Sequence, residues 1–395
     1  MSARFPTAPR SLLALVVAAT ALAVPSVQPR AAEDIVPAIP SEEDAPIALL
    51  VDLTSGQTLF SREADRRFVP ASITKTMTTF LAFEKLERGE INTQQVVTVS
   101  DDAFRKWRRK GSTMFLGRGD RLTVDQLIHG VTTVSANDGS YVLGEAADGS
   151  IEAWLAEMNA TARRIGMKDS HFGSPNGYPD EGQTWVTAND LVTLARAMIR
   201  RHPSKFDHFV GHPEFEYNGI TQPNHDPLIG KVKGADGIKT GFTYQAGYGF
   251  LGTAERDGRR LVMVVAGSDS GRARNKAAQA FMEWGFAAFD RMVLFGKDER
   301  IASAQVQDGS WPSVDLVAPR MIALSVPDNV RPDVKLSIRY EGPVRAPIRK
   351  GEQIATLHVE SASAPAADIP LVAAADIERA GPLQRVVNGV VGWFR

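Results

Sequence analysis

The order of apolar and polar positions predicts that strands open the main folded region and that helices follow. Residues 47–52 are almost entirely apolar, a turn follows at Ser55-Gly56, and 57–60 form a second strand-like run, which is typical of a β-hairpin. Because its first strand has no polar face, we expect that strand to be buried. Apolar residues recur at helical spacing in three later segments, namely 124–134, 151–165 and 189–201.

Strands return after these helices. Residues 248–254 and 260–266 flank a turn at Arg256-Asp257-Gly258, and 272–289 have the pattern of a closing helix. An antiparallel sheet that takes strands from both ends of the region, covered by helices from its middle, accounts for this order. We therefore predict an α/β domain, and its bounds are expected at 33–292.

The pattern changes near Met292. From 301 to 359, short strands alternate with turn residues, and the apolar positions of 334–340 are separated by polar neighbours. These features predict a small all-β domain at 293–372 that carries no chemistry of its own.

The last residues change character again, and 373–395 are predicted to form a linker and an amphipathic helix. Six apolar side chains would share one helical face, at Leu383, Val386, Val387, Val390, Val391 and Phe394. As a helix, 383–394 would be about 18 Å long, which is too short for the ~30 Å hydrocarbon core. We therefore favour a helix that lies on a membrane surface, and docking on the protein's own domain is the alternative.

Composition and the N-terminal residues place the protein in the exported class. Arg4 and Arg10 precede an apolar run at 12–24, which is typical of a signal peptide at 1–32. Cleavage is expected after Ala32, and Ala21-Leu22-Ala23 is a competing cleavage site. Elsewhere the sequence has no apolar run of about 18 residues, so no transmembrane helix is predicted. The sequence has no cysteine, which excludes disulfides and thiolate metal sites.

Charge and histidine content exclude two further classes of function. The formal net charge is −1, without the basic excess that nucleic-acid binding requires. The seven histidines include no H-E-x-x-H motif, so no metal site is predicted.

A serine and a lysine three residues apart carry the first candidate chemistry. Ser72 and Lys75 follow Pro70 at the start of a helix-like run, and residues i and i+3 share a helix face. A serine hydroxyl becomes a good nucleophile when a neighbouring base takes its proton, and a lysine is such a base only if burial or another cation lowers its pKa. The pair therefore requires a second cation nearby.

Two further motifs carry groups that fit this chemistry. They are Ser135-Ala136-Asn137 in the helical region and Lys239-Thr240-Gly241 before the last hairpin. S-x-x-K and K-T-G each occur once in the chain, and the three motifs form the set known from penicillin-binding proteins and class A β-lactamases. Ser174-Pro175-Asn176 repeats the S-x-N pattern, but its glycine and proline neighbours favour an ordinary loop.

On these motifs the chain resembles the low-molecular-mass penicillin-binding proteins, the serine D-alanyl-D-alanine carboxypeptidases of the periplasm. The resemblance runs from about Glu33 to the C-terminus, and the further segments that carry it are 70–78, 114–116, Gly119-Asp120, 222–224 and Gly247-Tyr248. It implies a β-lactamase/transpeptidase-like catalytic domain, an antiparallel sheet with helices, followed by the small all-β domain and the C-terminal amphipathic helix.

The resemblance implies roles in acyl transfer for three side chains. Ser72 would attack the carbonyl between two D-alanines, and Lys75, kept neutral by the nearby cation Lys239, would take its proton. Ser135 would relay a proton to the leaving D-alanine. The main-chain N–H groups of Ser72 and Phe242 would form the oxyanion hole.

The remaining site residues would hold the substrate. Asn137 would bind the acyl-side amide. The substrate carboxylate would be bound by Lys239, Thr240 and Arg274, with Gly241 completing the K-T-G motif. Phe242 stands where better-known members often have histidine, and His225-Asp226 also departs from the family pattern.

The resemblance thus implies removal of the terminal D-alanine from peptidoglycan pentapeptide stems, without a cofactor and with covalent inhibition by β-lactams. The protein would be periplasmic and attached to the outer face of the inner membrane through 383–395. A β-lactamase is the closest alternative, but no E-x-x-L-N pattern follows Ser135. A non-catalytic penicillin-binding scaffold is a second alternative, and an α/β-hydrolase is excluded because G-x-S-x-G is absent.

Overall fold

The computed structural model describes residues 35–327, 333–361 and 364–381. The predicted signal peptide at 1–32 and the predicted tail helix at 383–395 lie outside these ranges. Among the described helices, none combines the length and the apolar character that crossing a membrane requires.

A five-stranded antiparallel sheet forms the centre of the first domain, in the order β2-β1-β9-β8-β7. Its strands are β1 (Ile47–Asp52), β2 (Thr58–Arg62), β7 (Ala235–Thr243), β8 (Gly247–Arg256) and β9 (Arg259–Ser268). All six residues of β1 are buried, as its apolar sequence predicts, because it lies between β2 and β9. Strands from both ends of the domain form this sheet, which confirms the predicted arrangement.

Helices from the middle of the domain and one closing helix cover the sheet. They are α1 (Lys75–Arg88), α2 (Asp101–Trp107), α3 (Val124–Thr133), α4 (Asn137–Asp148), α5 (Ile151–Ile165), α6 (Ala188–Arg201), α7 (Pro203–Phe209) and α8 (Gly271–Ala287). Two short hairpins, β3 (Val96–Thr98) with β4 (Arg121–Thr123) and β5 (Glu214–Tyr217) with β6 (Ile220–Pro223), lie between them.

The sequence pattern finds most of the long helices and misses α2, α4 and α7. Helices α3, α5, α6 and α8 lie within two residues of the predicted segments. Helix α3 starts with a capping box, in which Thr123 and Gln126 each bind the other's main-chain N–H. Helix α4 is buried at every position from 137 to 144, and the buried positions include the polar Asn137, Asp138 and Ser140, so its apolar residues do not mark the buried face.

The second domain is all-β, as predicted. Its strands are β10 (Phe289–Phe295), β11 (Arg300–Gln307), β12 (Ser313–Val317), β13 (Ile322–Pro327), β14 (Val334–Arg339), β15 (Val344–Arg345), β16 (Gln353–Ser361) and β17 (Ala364–Ala373). Six of them form one sheet, in the order β14-β16-β17-β12-β11-β15, and β10 pairs with β13. The boundary expected at 292 therefore falls inside strand β10 and not in a linker.

Buried polar side chains join the two domains. The Gln57 side chain donates to the carbonyl oxygen of Ser325 on β13 (3.2 Å) and accepts from its N–H (2.6 Å). The Asp52 carboxylate accepts from the Ser325 hydroxyl and from Arg259 Nε (3.0 Å). These buried hydrogen bonds fix strand β13 against the end of the first domain's sheet.

Candidate active site

A cleft of about 890 Å³ opens where the turn before α1, the start of α4 and strand β7 meet. It is lined by most of the predicted site residues, namely Ser72, Ser135, Asn137, Thr240, Gly241, Phe242 and Arg274. The two predicted lysines, Lys75 and Lys239, lie buried beneath this lining and are 0% and 5% exposed. The fold thus brings together groups that are far apart in the sequence.

A tight turn at the start of the predicted helix holds Ser72 and Lys75 together. Residues Ala71–Thr74 form a 3₁₀ helix that continues directly into α1 at Lys75, so the turn that carries Ser72 has 3₁₀ and not α-helical geometry. Side chains at i and i+3 eclipse one another in a 3₁₀ helix, which explains why Lys75 Nζ and Ser72 Oγ lie 2.8 Å apart.

Burial and a second cation lower the pKa of Lys75, as the proposed chemistry requires. Burial is the larger cause and holds the pKa of Lys75 well below its ordinary value, the positive charge of Lys239 adds to this, and Asp138 opposes it. With a neutral amine, the Ser72 hydroxyl donates its hydrogen bond to Lys75 Nζ, which is the direction that a general base needs.

The pKa of Lys239 is also lowered. Burial, with a smaller contribution from the Arg274 charge, lowers the pKa of Lys239 to about 7, and Asp226 opposes this shift. Lys239 Nζ donates to the carbonyl oxygen of Thr240 (3.1 Å). The site therefore contains two buried amines whose charge states depend on each other.

Two asparagines complete the surroundings of Lys75. Its Nζ donates to Asn137 Oδ1 (2.7 Å) and to the main-chain oxygen of Asn176 (2.7 Å). The prediction that 174–176 form an ordinary loop was therefore wrong, because this loop supplies an acceptor to the site. At Gly177 a Cβ would lie 1.8 Å from the carbonyl oxygen of Ala71, so a glycine is needed where the loop meets the Ser72 turn.

Ser135 occupies a strained turn between α3 and α4. Its φ is +62°, a left-handed conformation that non-glycine residues rarely adopt, and such strain is concentrated at functional sites. Ser135 Oγ is buried and makes no hydrogen bond with any other described residue. A substrate atom in the cleft could satisfy it.

Asp138 is a site residue that the sequence analysis did not single out. Its carboxylate accepts from the N–H groups of Met114 (3.0 Å) and Leu116 (3.1 Å), and this fixes the segment whose neighbours Gly111 and Ser112 line the cleft. Burial raises the pKa of Asp138, while these main-chain hydrogen bonds oppose the shift. The one sequence signal was its position beside Asn137 in the S-x-N motif.

The K-T-G motif lies ahead of the β8–β9 hairpin, as predicted, within a strand that the sequence analysis did not assign. Its three residues belong to β7, which pairs with β8 along one side and forms an edge of the sheet. A Cβ at Gly241 would lie 2.4 Å from the carbonyl oxygen of Pro70, so the glycine lets β7 pack against the Ser72 turn. Phe242, 42% exposed, stacks on Tyr248 with ring centroids 4.1 Å apart.

Arg274 lies at the start of α8, and β8 holds its guanidinium in place. Its Nη1 donates to the carbonyl oxygen of Gly249 (2.7 Å), and its Nε donates to Asn275 Oδ1 (2.7 Å). Beside it lies Asp226, which the sequence analysis noted only as a departure from the family pattern. Burial raises the pKa of Asp226 to about 6, and the Arg274 and Lys239 charges act in the opposite direction.

The arrangement suits nucleophilic acyl transfer on an anionic ligand. A hydroxyl and a deprotonatable amine are in contact, and a strained second hydroxyl lies in the same cleft. Cationic groups at Lys239 and Arg274 would attract a ligand carboxylate and place the reacting bond beside Ser72.

Comparison with known families gives two matches that together span most of the chain. A family model described as D-alanyl-D-alanine carboxypeptidase matches residues 34–270. A model described as the C-terminal domain of penicillin-binding protein 5 matches residues 289–379. Each lies over one of the two domains seen in the structure.

Individual relatives agree with these matches. D-alanyl-D-alanine carboxypeptidase DacC of Escherichia coli strain K12 is 31% identical over 356 residues, which cover 89% of this chain and 88% of that protein. The structure of penicillin-binding protein 5 from Haemophilus influenzae is 29% identical, with a TM-score of 0.74, and the match covers 87% of this chain and 100% of that one.

A third relative has been solved with an antibiotic. Penicillin-binding protein D2 from Listeria monocytogenes, in its ampicillin-bound form, is 30% identical with a TM-score of 0.54, and the match covers 62% of this chain and 97% of that one. From the family match, the relatives and the shared fold, this chain belongs to the D-alanyl-D-alanine carboxypeptidase family of penicillin-binding proteins, a family of hydrolases.

Proposed function

We propose that this enzyme removes the terminal D-alanine from peptidoglycan pentapeptide stems through an acyl-enzyme on Ser72. The observation that carries the proposal is the 2.8 Å contact between Ser72 Oγ and Lys75 Nζ, made by a lysine that is fully buried beside a second buried cation. Such a lysine is poised to be neutral and to act as a base.

In the proposed acylation step, Ser72 Oγ attacks the carbonyl carbon of the penultimate D-alanine while Lys75 Nζ takes the hydroxyl proton. The resulting oxyanion is bound by the main-chain N–H groups of Ser72 and Phe242. The C–N bond to the last D-alanine then breaks, and Ser135 passes a proton to the departing amine. Water attacks the ester in the second half of the cycle and frees Ser72.

Recognition of the free C-terminus is assigned to the other end of the cleft. Lys239, Thr240 and Arg274 would bind the terminal carboxylate, and Asn137 would bind the amide on the acyl side. An internal peptide bond has no carboxylate at this position, so these groups favour the last residue of a stem. Phe242 and Tyr248 add an aromatic wall beside the same position.

A β-lactam would react at the same serine. Its ring amide takes the place of the peptide bond, but its leaving amine stays tethered in the site and hinders the approach of water. We therefore propose that the penicilloyl ester outlasts the peptidyl ester greatly, in contrast to a β-lactamase, whose dedicated carboxylate activates water.

The proposed place of action is the periplasm. This rests on the signal-like residues 1–32 and on the substrate, which is part of the cell wall. Attachment to the outer face of the inner membrane rests on the amphipathic pattern of 383–395, which lies outside the described residues.

Mass spectrometry of the purified protein tests the proposal. With benzylpenicillin we expect the intact mass to increase by one penicilloyl group, which peptide mapping places on Ser72. With a pentapeptide ending in D-Ala-D-Ala we expect release of one D-alanine and no lasting adduct. A pentapeptide with an amidated C-terminus is the control and should react poorly, because the carboxylate is missing. An adduct on another residue, or rapid turnover of penicillin, would contradict the proposal.

The pH profile of the activity should have two limbs, one for the titration of each buried lysine. Since Lys75 must be neutral to take a proton, kcat/KM for D-alanine release should rise with pH as Lys75 deprotonates. Since the pKa of Lys239 is lowered to about 7, its charge and the binding of the carboxylate should decline above neutral pH. In Lys239→Arg the guanidinium stays charged, so we expect the falling limb to move to higher pH. A falling limb that does not move would show that another group controls it.

A further inference from the structure

Four ionisable side chains meet on the side of helix α3, and none of them lines the catalytic cleft. Asp125 and His129 lie four residues apart on α3, so they share one face of that helix. His208 on α7 and His212 just beyond it are also four residues apart. Neither pair is an H-E-x-x-H motif, and the fold places the two pairs side by side.

The distances between these groups are close to those of a tetrahedral metal site. His208 Nε2 lies 3.0 Å from Asp125 Oδ1, and His129 Nε2 lies 3.7 Å from Asp125 Oδ2. One ligand atom from each of the three residues lies within 4.8 Å of the others. Metal bonds of about 2.0–2.2 Å at tetrahedral angles place ligand atoms roughly 3.3–3.6 Å apart. Small side-chain rotations would therefore close the site.

The two helices that carry these groups are firmly connected. Thr132 Oγ1 on α3 donates to the carbonyl oxygen of Phe209 at the end of α7 (2.6 Å). The His129 ring packs on Phe209, with ring centroids 4.9 Å apart, and is partly buried. A metal bound here would not have to draw two independent segments together, so little ordering entropy would be lost.

The neighbouring His212 is engaged elsewhere. Its Nε2 binds the carbonyl oxygen of His208 (2.7 Å), and its ring lies 5.0 Å from the His129 ring. The carbonyl oxygen of His212 accepts from Asn224 Nδ2 (2.8 Å), and Asn224 lines the catalytic cleft. The cluster is thus connected to the cleft through the main chain, at a distance from the reacting groups.

We propose that Asp125, His129 and His208 form a structural Zn²⁺ site that joins α3 to α7, with water in the fourth position. Two imidazole nitrogens and one carboxylate oxygen suit Zn²⁺, whereas Mg²⁺ and Ca²⁺ prefer sites made of oxygen alone. Bound Zn²⁺ would stabilise the folded enzyme, because the unfolded chain does not hold these three groups together. The proposal is independent of the reaction at Ser72.

Titration calorimetry and thermal unfolding test the site. Full-length protein without a histidine tag is treated with a chelator, dialysed and titrated with ZnCl₂. We expect one Zn²⁺ per chain and a higher melting temperature, and MgCl₂ should give neither effect. His129→Ala and His208→Ala should each weaken Zn²⁺ binding by at least about tenfold.

Two features of the design keep the result interpretable. The His208 side chain is 58% exposed, so His208→Ala should fold even if His129→Ala does not. His171→Ala is the matched control, because that histidine binds the carbonyl oxygen of Gln183 in another part of the domain, and it should bind Zn²⁺ normally. Failure of the unaltered protein to bind one Zn²⁺, or undiminished binding in His208→Ala, would overturn the proposal.

Discussion

Ser72→Ala is expected to abolish covalent labelling by penicillin and to reduce D-alanine release by roughly 10⁴-fold or more, since the acyl group would have no oxygen to attach to. The fold should persist, because among the described residues Ser72 Oγ forms one hydrogen bond, with Lys75 Nζ. Labelling is measured with a fluorescent penicillin, and D-alanine release with a pentapeptide.

A serine in the second domain gives the matched control. Ser303 is exposed on β11, so Ser303→Ala should label and react like the unaltered enzyme. Reversible binding of penicillin should survive in Ser72→Ala, because the residues proposed to bind the carboxylate remain. Persistent labelling of Ser72→Ala would show that a different side chain is the nucleophile.

Lys75→Met is expected to slow acylation by roughly 10²–10⁴-fold, the usual contribution of a general base, for both the peptide and the β-lactam. Methionine nearly matches lysine in length and fills the same buried space, but it cannot take a proton. The rising limb of the pH profile, assigned to Lys75, should disappear in this variant. The measurement is the rate of acyl-enzyme formation under single-turnover conditions at several pH values.

Lys85 on the same helix provides a direct contrast. Burial acts to lower the pKa of Lys85, but its hydrogen bonds to Asp148 and Glu90 outweigh burial and raise that pKa. This lysine therefore stays charged. Lys85→Met should therefore lower the melting temperature and leave acylation nearly unchanged. If Lys75→Met lost less than tenfold in acylation rate, Lys75 would not be the base.

Much of the fold could be predicted because its elements have one-sided patterns. The uninterrupted apolar sequence of β1 predicts that it is buried. The helical spacing of apolar residues predicts the buried faces of α3, α5, α6 and α8. Helix α4 could not be found in this way, since its buried positions include the polar Asn137, Asp138 and Ser140. The extent of β10 was also missed, because partly buried residues on both of its faces blur the boundary between the domains.

The candidate site was predictable where the chemistry is carried by side chains in short motifs. Ser72, Lys75, Ser135, Asn137 and the K-T-G residues were all named from the sequence, and the structure places them together, although their roles remain predictions. The main-chain oxygen of Asn176 could not be assigned in the same way, because any residue can supply a carbonyl group. Which carbonyl reaches Lys75 depends on how the loop packs.

The hydrogen bonds of Lys75 link the chemistry of this enzyme to its folding. The hydrogen-bond partners of its Nζ lie 3, 62 and 101 residues away in the sequence, so they come together only when three distant segments have docked. In the unfolded chain this lysine is protonated below about pH 10, whereas burial favours its neutral form. The unfolded state thus binds more protons, and the contribution of Lys75 to stability rises with pH between its lowered pKa and about 10. Completing the fold therefore expels a proton, and a partly folded chain has no activated serine with which to capture an antibiotic.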